Sequence, residues 1–348
     1  MLELKLNLHS MKKSIIGLLF FSFLGFTACK KENNPKEPES KNTTTSESET
    51  TKYAIKKEQD GKYSFQLNLE KGKIYPINSN VTNQQSYTMQ GQKNEGTTNQ
   101  QTNMNIEVKE ITPKSYKTQV TITSAYLKQT QQGQETVIGT KAAAPKDKQL
   151  AMMWKMQKAM TNAPFNLEIS TLGKVIKISG LELLYKKVEE QFKKELKPQE
   201  LQMMMAQVKQ SMNEEMMKSQ FEKGINKFPD HSIAIGEVWV EENNNDAEKL
   251  KQKTTYKLKE VNSNVAIVSL QGVANQKNEQ SDKKAGIKQS VIVNANTKGN
   301  IVYDIQSGWI KSSSTEKIVR AKQSMTYLTQ NQSQSVEVYS KEISKINQ

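Results

Sequence analysis

The sequence predicts a mostly β protein of the α+β class. We expect a duplicated antiparallel β-meander, with half-barrel or sandwich-like sheets, and a Met-rich helical insert. Long stretches alternate apolar and polar residues with a period of two, which is typical of strands with one buried face. A central stretch repeats its apolar residues at helical spacing. Short blocks of the first half recur in the same order in the second half.

Residues 1–28 have the features of a secretory signal peptide. Two lysines precede an apolar run at residues 15–26, and small residues follow it. The run is shorter than the roughly 20 apolar residues that a membrane-spanning helix needs. Residues 1–10 precede a second methionine, Met11, and are interpreted as an upstream extension or a misplaced start.

The segment Phe26-Thr27-Ala28-Cys29 resembles the lipobox of bacterial lipoproteins, with Phe26 where an aliphatic residue is usual. In that resemblance the thiol of Cys29 receives a diacylglycerol, the chain is cut before it, and the new amine is acylated, for example with palmitate. Cys29 is the only cysteine of the chain. This position predicts a lipid anchor at Cys29. Two or more acyl chains there would hold the protein stably at a membrane. The alternative is an ordinary signal peptide or an uncleaved anchor, with Cys29 incidental.

Residues 29–52 are predicted to be a lipidated, disordered tether. After Cys29 the segment contains no apolar residue and cannot bury a core. As a flexible coil it would span about 25–30 Å. Lys30, rather than Asp, follows the anchor, which resembles the sorting signal for the outer membrane of Gram-negative bacteria. The predicted localisation is therefore the cell envelope, lipid-anchored at the outer membrane on its periplasmic side or at the cell surface.

Three segments follow the tether: a first β repeat at residues 53–178, a helical linker or cover at 179–228, and a second β repeat at 229–348. Alternation marks the strands, beginning with Tyr63, Phe65, Leu67 and Leu69. A first helix is predicted before Pro164, because Leu150, Met153, Trp154 and Met160 share one helical face. Two helical stripes predict the helices of the insert: Leu181, Leu184, Val188 and Phe192, and, after Pro198, Leu201, Met204, Met205, Val208, Met212 and Met216.

The two β repeats resemble each other in three blocks. Gly72–Tyr75 pairs with Gly236–Trp239, Ile106–Ile111 with Tyr256–Val261, and Phe165–Val175 with Val291–Ile301. We expect two curved sheets that the helices link or cover. The plainer alternative is that any two antiparallel sheets share such alternation.

The turn Thr171-x-Gly173-x-Val175, the helical stretch after Gly180 and the strand opening Gly236-x-x-Trp239 resemble a family of uncharacterised lipoproteins of Gram-negative bacteria, a domain of unknown function. The resemblance covers the chain from about Tyr63 to its C-terminus. It implies no activity and no catalytic residue. At the level of the fold alone, the predicted sheets with covering helices are similar to the half-barrels of lipoprotein carriers (LolA-like).

Composition excludes several classes of function. The net charge is +14, of which +12 remains after residues 1–28 are removed, and Arg320 is the only arginine. Scattered lysines lack the planar fork that reads bases and clamps phosphates, so no nucleic acid partner is predicted. With Cys29 acylated, no thiol remains for a disulfide, a metal site or catalysis. No cofactor is predicted.

The methionines are the unusual feature of the chain, since ten of the fifteen lie between Met152 and Met217. They fit an apolar packing stripe, but flexible thioethers also suit an adaptable surface for apolar partners. A third reading is Cu(I) binding by pairs such as Met153 and Met156, or Met212 and Met216; no metal site is predicted. The candidate residues for an apolar-ligand or packing face are Met204, Met205, Val208, Met212, Met216 and Trp154.

The sequence predicts no catalytic residue and no enzyme. His231 is the single histidine after residue 28, and no Gly-x-Ser-x-Gly elbow accompanies it. The leading hypothesis is a lipid-anchored, non-catalytic module that binds a hydrophobic ligand, a lipid or an envelope protein. The alternative is a structural or adhesion-type lipoprotein without a ligand. Whether the Met-rich helices line a cavity or fill a core is left open.

Overall fold

A computed structural model of the chain describes residues 53–89, 91–224, 227–245, 249–282, 286–327 and 332–348. The predicted signal peptide and tether, including Cys29, lie outside the described residues. Within them the chain forms fourteen strands and four helices, which confirms the mostly β class. Among the described residues, no helix combines the length and the apolar character needed to span a bilayer.

The strands are β1 (Ile55–Lys57), β2 (Tyr63–Phe65), β3 (Ile74–Met89), β4 (Gln92–Ile111), β5 (Ser115–Gln131), β6 (Gln134–Gly139), β7 (Phe165–Ser170), β8 (Val175–Ser179), β9 (Val238–Asn245), β10 (Leu250–Val261), β11 (Val265–Asp282), β12 (Ile287–Asp304), β13 (Ile310–Tyr327) and β14 (Gln332–Asn347). The helices are α1 (Lys148–Met160), α2 (Glu182–Phe192), α3 (Pro198–Ser211) and α4 (Glu214–Gly224).

Twelve strands form one antiparallel sheet instead of the two sheets predicted. Its order is β8-β7-β5-β4-β3-β14-β13-β12-β11-β10-β9, with β6 beside the second half of β5. The last strand, β14, pairs with β13 on one side and with β3 on the other, so it joins the two repeats. Since the strand order begins at β8 and ends at β9, the sheet is open within the described residues. The strands β1 and β2 form a separate small sheet.

Two of the three repeated blocks occupy equivalent positions in this sheet. Gly72 precedes β3 and Gly236 precedes β9, with φ angles of 79° and 94°. Their backbone N–H groups donate to the carbonyls of Val108 and Leu258, each at 2.8 Å. Both positions therefore have a left-handed backbone conformation, which favours glycine, at the start of equivalent strands.

The third pairing of blocks is wrong in its register. Gly173 lies in the turn between β7 and β8, but Gly299 lies in the middle of β12, which continues to Asp304. The counterpart of Gly173 is Gly308, in the turn between β12 and β13, with a φ of 68°. Since β12 has eighteen residues and β7 has six, the alternation runs on past Gly299. At position 299 glycine allows the neighbouring strand β13 to lie close, because a Cβ atom would collide with the carbonyl oxygen of Ser314.

The residues that precede β3 form backbone hydrogen bonds to turns of both repeats. The backbone N–H of Leu67 donates to the carbonyl of Thr171 at 2.7 Å, and that of Asn68 donates to Ser307 at 2.9 Å. These two acceptors belong to the turns of the two different repeats. Leu67 and Leu69 are buried as the alternation predicted, although β2 ends at Phe65. This stretch therefore binds the two repeats together by backbone hydrogen bonds outside the main sheet.

The helical insert is confirmed, but the stripe from Leu201 to Met216 is not one helix. The chain leaves α3 at Met212, and the side-chain oxygen of Asn213 accepts the backbone N–H of Met216 at 2.8 Å. Asparagine in this position caps a new helix by satisfying one of its free N–H groups. Pro198 begins α3, as predicted.

Two apolar clusters stabilise the fold. The larger one combines side chains of both repeats around Phe65, Tyr303 and Trp309. The smaller one lies between the helices and contains Ala163, Leu184, Val188, Phe192, Met205 and Val208.

Buried tyrosines should make the larger cluster sensitive to alkali. Tyr303 is fully buried and accepts the backbone N–H of Lys227 at 3.0 Å. Burial raises the pKa of Tyr303 above its usual value near 10 and also raises the pKa of Tyr256. The unfolded chain therefore loses these protons first as the pH rises. The stabilisation is complete below about pH 10 and declines above it, by about 1.4 kcal/mol per pH unit for each tyrosine.

The variant Tyr303→Phe tests this prediction. Denaturant unfolding between pH 8 and pH 11 should show a shallower loss of stability for the variant than for the wild type. At pH 8 the variant should be less stable by about 1 kcal/mol, because the N–H of Lys227 loses its partner. An unchanged dependence on pH would contradict the assignment.

Candidate functional site

Several strands continue far beyond the larger apolar cluster. The strands β11, β12 and β13 each contain eighteen residues, and β14 contains sixteen. In β12 only Ile301 and Tyr303 belong to that cluster, yet the strand begins fourteen residues earlier, at Ile287. A large part of the sheet thus lies outside both apolar clusters.

Alternation along β12 identifies the two faces of this outlying part. Val293 and Ala295 are 6% and 5% exposed, whereas Ile292, on the opposite face, is 38% exposed. Val293 and Ala295 therefore lie on the same face as the buried Ile301 and Tyr303, which we call the inner face. Residues that pair across strands share a face, so the register extends it from Val293 to Ala321, Val338 and Tyr87.

We define the distal inner face as four successive rows of inner-face residues on five adjacent strands, between the row of Lys317 on the side of the larger cluster and the row of Asp282 at the other end. They are Ala274, Gln276, Asn278 and Gln280 of β11; Gln289, Val291, Val293 and Ala295 of β12; Val319, Ala321, Gln323 and Met325 of β13; Gln334, Val336, Val338 and Ser340 of β14; and Gln85, Tyr87 and Met89 of β3. Neither apolar cluster includes any of them.

The centre of the distal inner face is an apolar strip on β12, β13, β14 and β3. It contains Val291, Val293, Ala295, Val319, Ala321, Val336, Val338, Tyr87 and Met89. With strands about 4.8 Å apart and a two-residue repeat of about 6.8 Å, the strip extends about 14 Å in each direction. Apart from Val293 and Ala295, these side chains are only half-buried. The amide of Gln323 lies within the strip, between Val291 and Val336, and other Gln and Asn side chains border it.

The outer face of the same strands is charged. Lys322 pairs with Glu337 at 2.9 Å, and Arg320 lies 5.7 Å from the centre of the Tyr339 ring. Nearer the middle of the sheet, Glu316 lies between Lys341 at 2.8 Å and Lys298 at 3.0 Å. A hydrogen bond from Lys341 and a weaker contribution from the hydrogen bond of Lys298 lower the pKa of the Glu316 carboxyl. Such exposed pairs stabilise the fold little, but they make this face the solvated one.

The methionine face predicted from the sequence is divided by the cap at Asn213. Met205 and Val208 are buried in the smaller cluster, and Met204 packs against it. Met212 ends α3 and contacts both clusters, whereas Met216 lies half-buried on α4. Met212 and Met216 therefore do not share one helical face, which removes the basis for that copper pair. The described residues contain no group of three or more His, Cys, Asp or Glu side chains placed to hold a metal ion.

Trp154 is held at the edge of the helical layer. Its indole N–H donates to the carbonyls of Gly139 at 3.0 Å and Ala142 at 3.2 Å. It thus connects α1 to the end of β6, and it is half-buried.

A groove of about 440 Å³ lies between α2 and α3. Its lining residues are Glu189, Pro198, Leu201, Gln202, Met205, Ala206 and Lys209. Of the six candidate residues from the sequence, Met205 is the one that lines it. The groove carries one carboxylate and one ammonium among its apolar walls.

His231 lies in the loop before β9, as predicted. Its Nδ1 lies 2.6 Å from the Oδ1 of Asp230, and both side chains are exposed. The hydrogen bond from His231 lowers the pKa of the Asp230 carboxyl.

Sequence reasoning did not single out the distal inner face. The alternation of Val291, Val293 and Ala295, and of Val336 and Val338, indicates strands with one apolar face. It does not reveal whether another element covers that face. The register across β12, β13, β14 and β3 was the missing information.

Comparison with known proteins gives one family match. The model of a family described as "Family of unknown function (DUF6263)" matches residues 113–310, more than half of the chain. The match confirms the predicted domain of unknown function over a shorter range than the one expected from Tyr63 onwards. It includes the turn at Thr171, the helical insert and the strand opening at Gly236. No curated protein matches the sequence.

Two solved structures show distant likenesses to this chain. A structure entitled "Lipid-protein interactions in lipovitellin" has a TM-score of 0.42 and 12% identity; the match covers 80% of this chain and 25% of that chain. This chain thus spans about a quarter of that protein's length. An outer membrane channel from Pseudomonas putida F1 has a TM-score of 0.21 and 7% identity, with 81% and 97% of the two chains covered. At these scores neither likeness supports an argument about fold or function.

Proposed function

This chain belongs to the family of unknown function DUF6263, and from its geometry we propose that it is a lipid-anchored, non-catalytic binding protein of the cell envelope. Its ligand is hydrophobic and binds on the distal inner face. The observation that supports this proposal is the apolar strip on β12, β13, β14 and β3, which is half-buried and belongs to neither apolar cluster.

The strip is at the lower limit of the size that supports binding. Contiguous apolar patches of a few hundred Å² or more generally mark sites of interaction, and the footprint of the strip is about 200 Å². An area of about 200 Å² removed from water contributes about 5 kcal/mol at 25 cal/mol per Å². The entropy lost on association offsets part of this, so we expect an affinity no tighter than the millimolar range. A ligand exchanged with a membrane requires no stronger binding.

The proposed anchor at Cys29 gives this binding site a source of ligand. Acyl chains at Cys29 would hold the chain at the outer membrane, and a tether of residues 29–52 would let the folded part move near the bilayer.

An envelope protein could occupy the same face through its own apolar side chains. A structural or adhesion-type lipoprotein is the alternative, and it would bind no hydrophobic probe on this face.

Adjacent residues on opposite faces of β12 provide a matched test. Val291 lies on the distal inner face, and Ile292 lies on the outer face. The variants Val291→Asp and Ile292→Asp can be compared with the Cys29→Ala chain, which needs no detergent, in titrations with the neutral dye Nile red. We expect Val291→Asp to weaken binding at least tenfold, because a carboxylate within the strip must lose water when the dye binds. Ile292→Asp should bind as the parent does.

Two results would contradict the proposal. One is that the parent chain binds no dye. The other is that both variants lose binding equally while their circular dichroism spectra remain unchanged.

A further inference from the structure

We infer that the ligand of the distal inner face is an uncharged acyl lipid, one whose polar group bears hydroxyl or ester oxygens and no ionised group. This inference rests on the proposed function and specifies the chemical class of its ligand.

Charge is segregated between the two faces of the same strands. The distal inner face comprises nineteen residues, and none of them is charged. The whole chain is 25% charged, and a quarter of nineteen is about five. The outer face of the same stretch carries Lys277, Glu279, Lys288, Arg320, Lys322, Glu337 and Lys341. Lysine thus occurs on the outer face of β11, β12, β13 and β14 but is absent from the nineteen residues of the distal inner face.

The polar groups that do occur there suit a neutral partner. Gln280, Gln289 and Gln334 lie on the side of the strip that points away from the apolar clusters, and Gln323 lies within the strip, between Val291 and Val336. An amide both donates and accepts hydrogen bonds, so it can pair with a hydroxyl or an ester carbonyl. It cannot neutralise a carboxylate or a phosphate, so an ionised group placed among these glutamines would meet no opposite charge there.

The nearest cation on the inner face is already engaged. Lys317 lies one row closer to the larger apolar cluster than Val319, and in the register it stands opposite Glu342. Both residues have interaction partners within the protein. An anionic head group placed at that end of the strip would therefore meet a carboxylate as well as an ammonium. Among the described residues, neither end of the strip offers the unpaired positive charge that an ionised lipid needs.

Two probes that differ only in charge test the inference. The Cys29→Ala chain is titrated at pH 8 with cis-parinaric acid and with its methyl ester. We expect the ester to bind at least tenfold more tightly than the acid. In Ala321→Lys, which places an ammonium within the strip, this preference should disappear or reverse. The matched control Ser335→Lys adds the same charge on the exposed outer face of β14 and should keep the preference of the parent.

The outcomes separate this inference from the proposed function. If the acid binds as tightly as the ester or more tightly, the inference is overturned while binding of a hydrophobic ligand stands. If Ala321→Lys and Ser335→Lys change the preference alike, the site lies elsewhere and the inference is likewise overturned. If neither probe binds to the parent chain, both the proposed function and this inference are refuted.

Discussion

Replacing Gly308 by alanine is expected to destabilise the protein by about 3 kcal/mol, near the upper end of single-residue effects. Gly308 has a φ of 68° in the turn between β12 and β13. A Cβ atom there would collide with the carbonyl oxygen of Gln66 and would lie 3.1 Å from the Cβ of Ala54. The substitution thus adds backbone strain and also pushes the residues before β3 away from the turn. Because those residues connect the two repeats, the damage should be global.

Gly61 provides the matched control for this substitution. Its φ is 83°, yet a Cβ atom there would meet nothing within 4 Å. Gly61→Ala therefore retains the backbone strain without the collision, and we expect a cost of about 1 kcal/mol. Urea unfolding of both variants separates the two contributions. Equal costs at the two positions would show that the contact between Gly308 and Gln66 is unimportant.

The variant Cys29→Ala is expected to move the protein from the membrane fraction to the soluble fraction of a Gram-negative host. Each buried methylene of an acyl chain contributes about 0.8 kcal/mol to membrane binding, so the loss of several chains abolishes anchoring. Labelled palmitate should be incorporated into the wild type and not into the variant. Cys29 lies outside the described residues, so this prediction rests on the lipobox alone.

The comparison variant for the anchor is Lys30→Asp. By resemblance to lipoprotein sorting, it should still incorporate palmitate but remain in the inner membrane. Fractionation on a sucrose gradient distinguishes the two membranes. Palmitate incorporation by Cys29→Ala, or its continued sedimentation with envelopes, would refute the anchor.

Local sequence patterns predicted individual elements well where the decisive interactions are between near neighbours. Pro198 begins a helix because its ring suits the first turn, and Gly72 and Gly236 begin equivalent strands because both adopt positive φ angles. The same reasoning did not predict the break at Asn213. The apolar spacing continues across it, and a single side-chain hydrogen bond to Met216 decides where the new helix begins.

Long-range pairing was the part that local patterns did not predict. Gly299 matches the spacing of Gly173, but its place in the middle of β12 depends on how far the neighbouring strands extend. The single sheet depends likewise on β14. This strand pairs with β13 of its own repeat and also with β3 of the first repeat, and the second pairing joins the two repeats. A pattern with a period of two contains no information about which strand lies alongside.

The order of residues alone was sufficient for the β-rich class, the helical insert and the recurrence of Gly72–Tyr75 as Gly236–Trp239, because these follow from backbone preferences and short-range periodicity. The proposed anchor at Cys29 also comes from the sequence alone. The distal inner face required the tertiary structure. Val291, Ala321 and Val338 lie far apart in the chain, and only the hydrogen-bonded register makes them one surface. Likewise, only packing determines whether an apolar face is covered, since burial depends on what lies opposite and not on the strand itself.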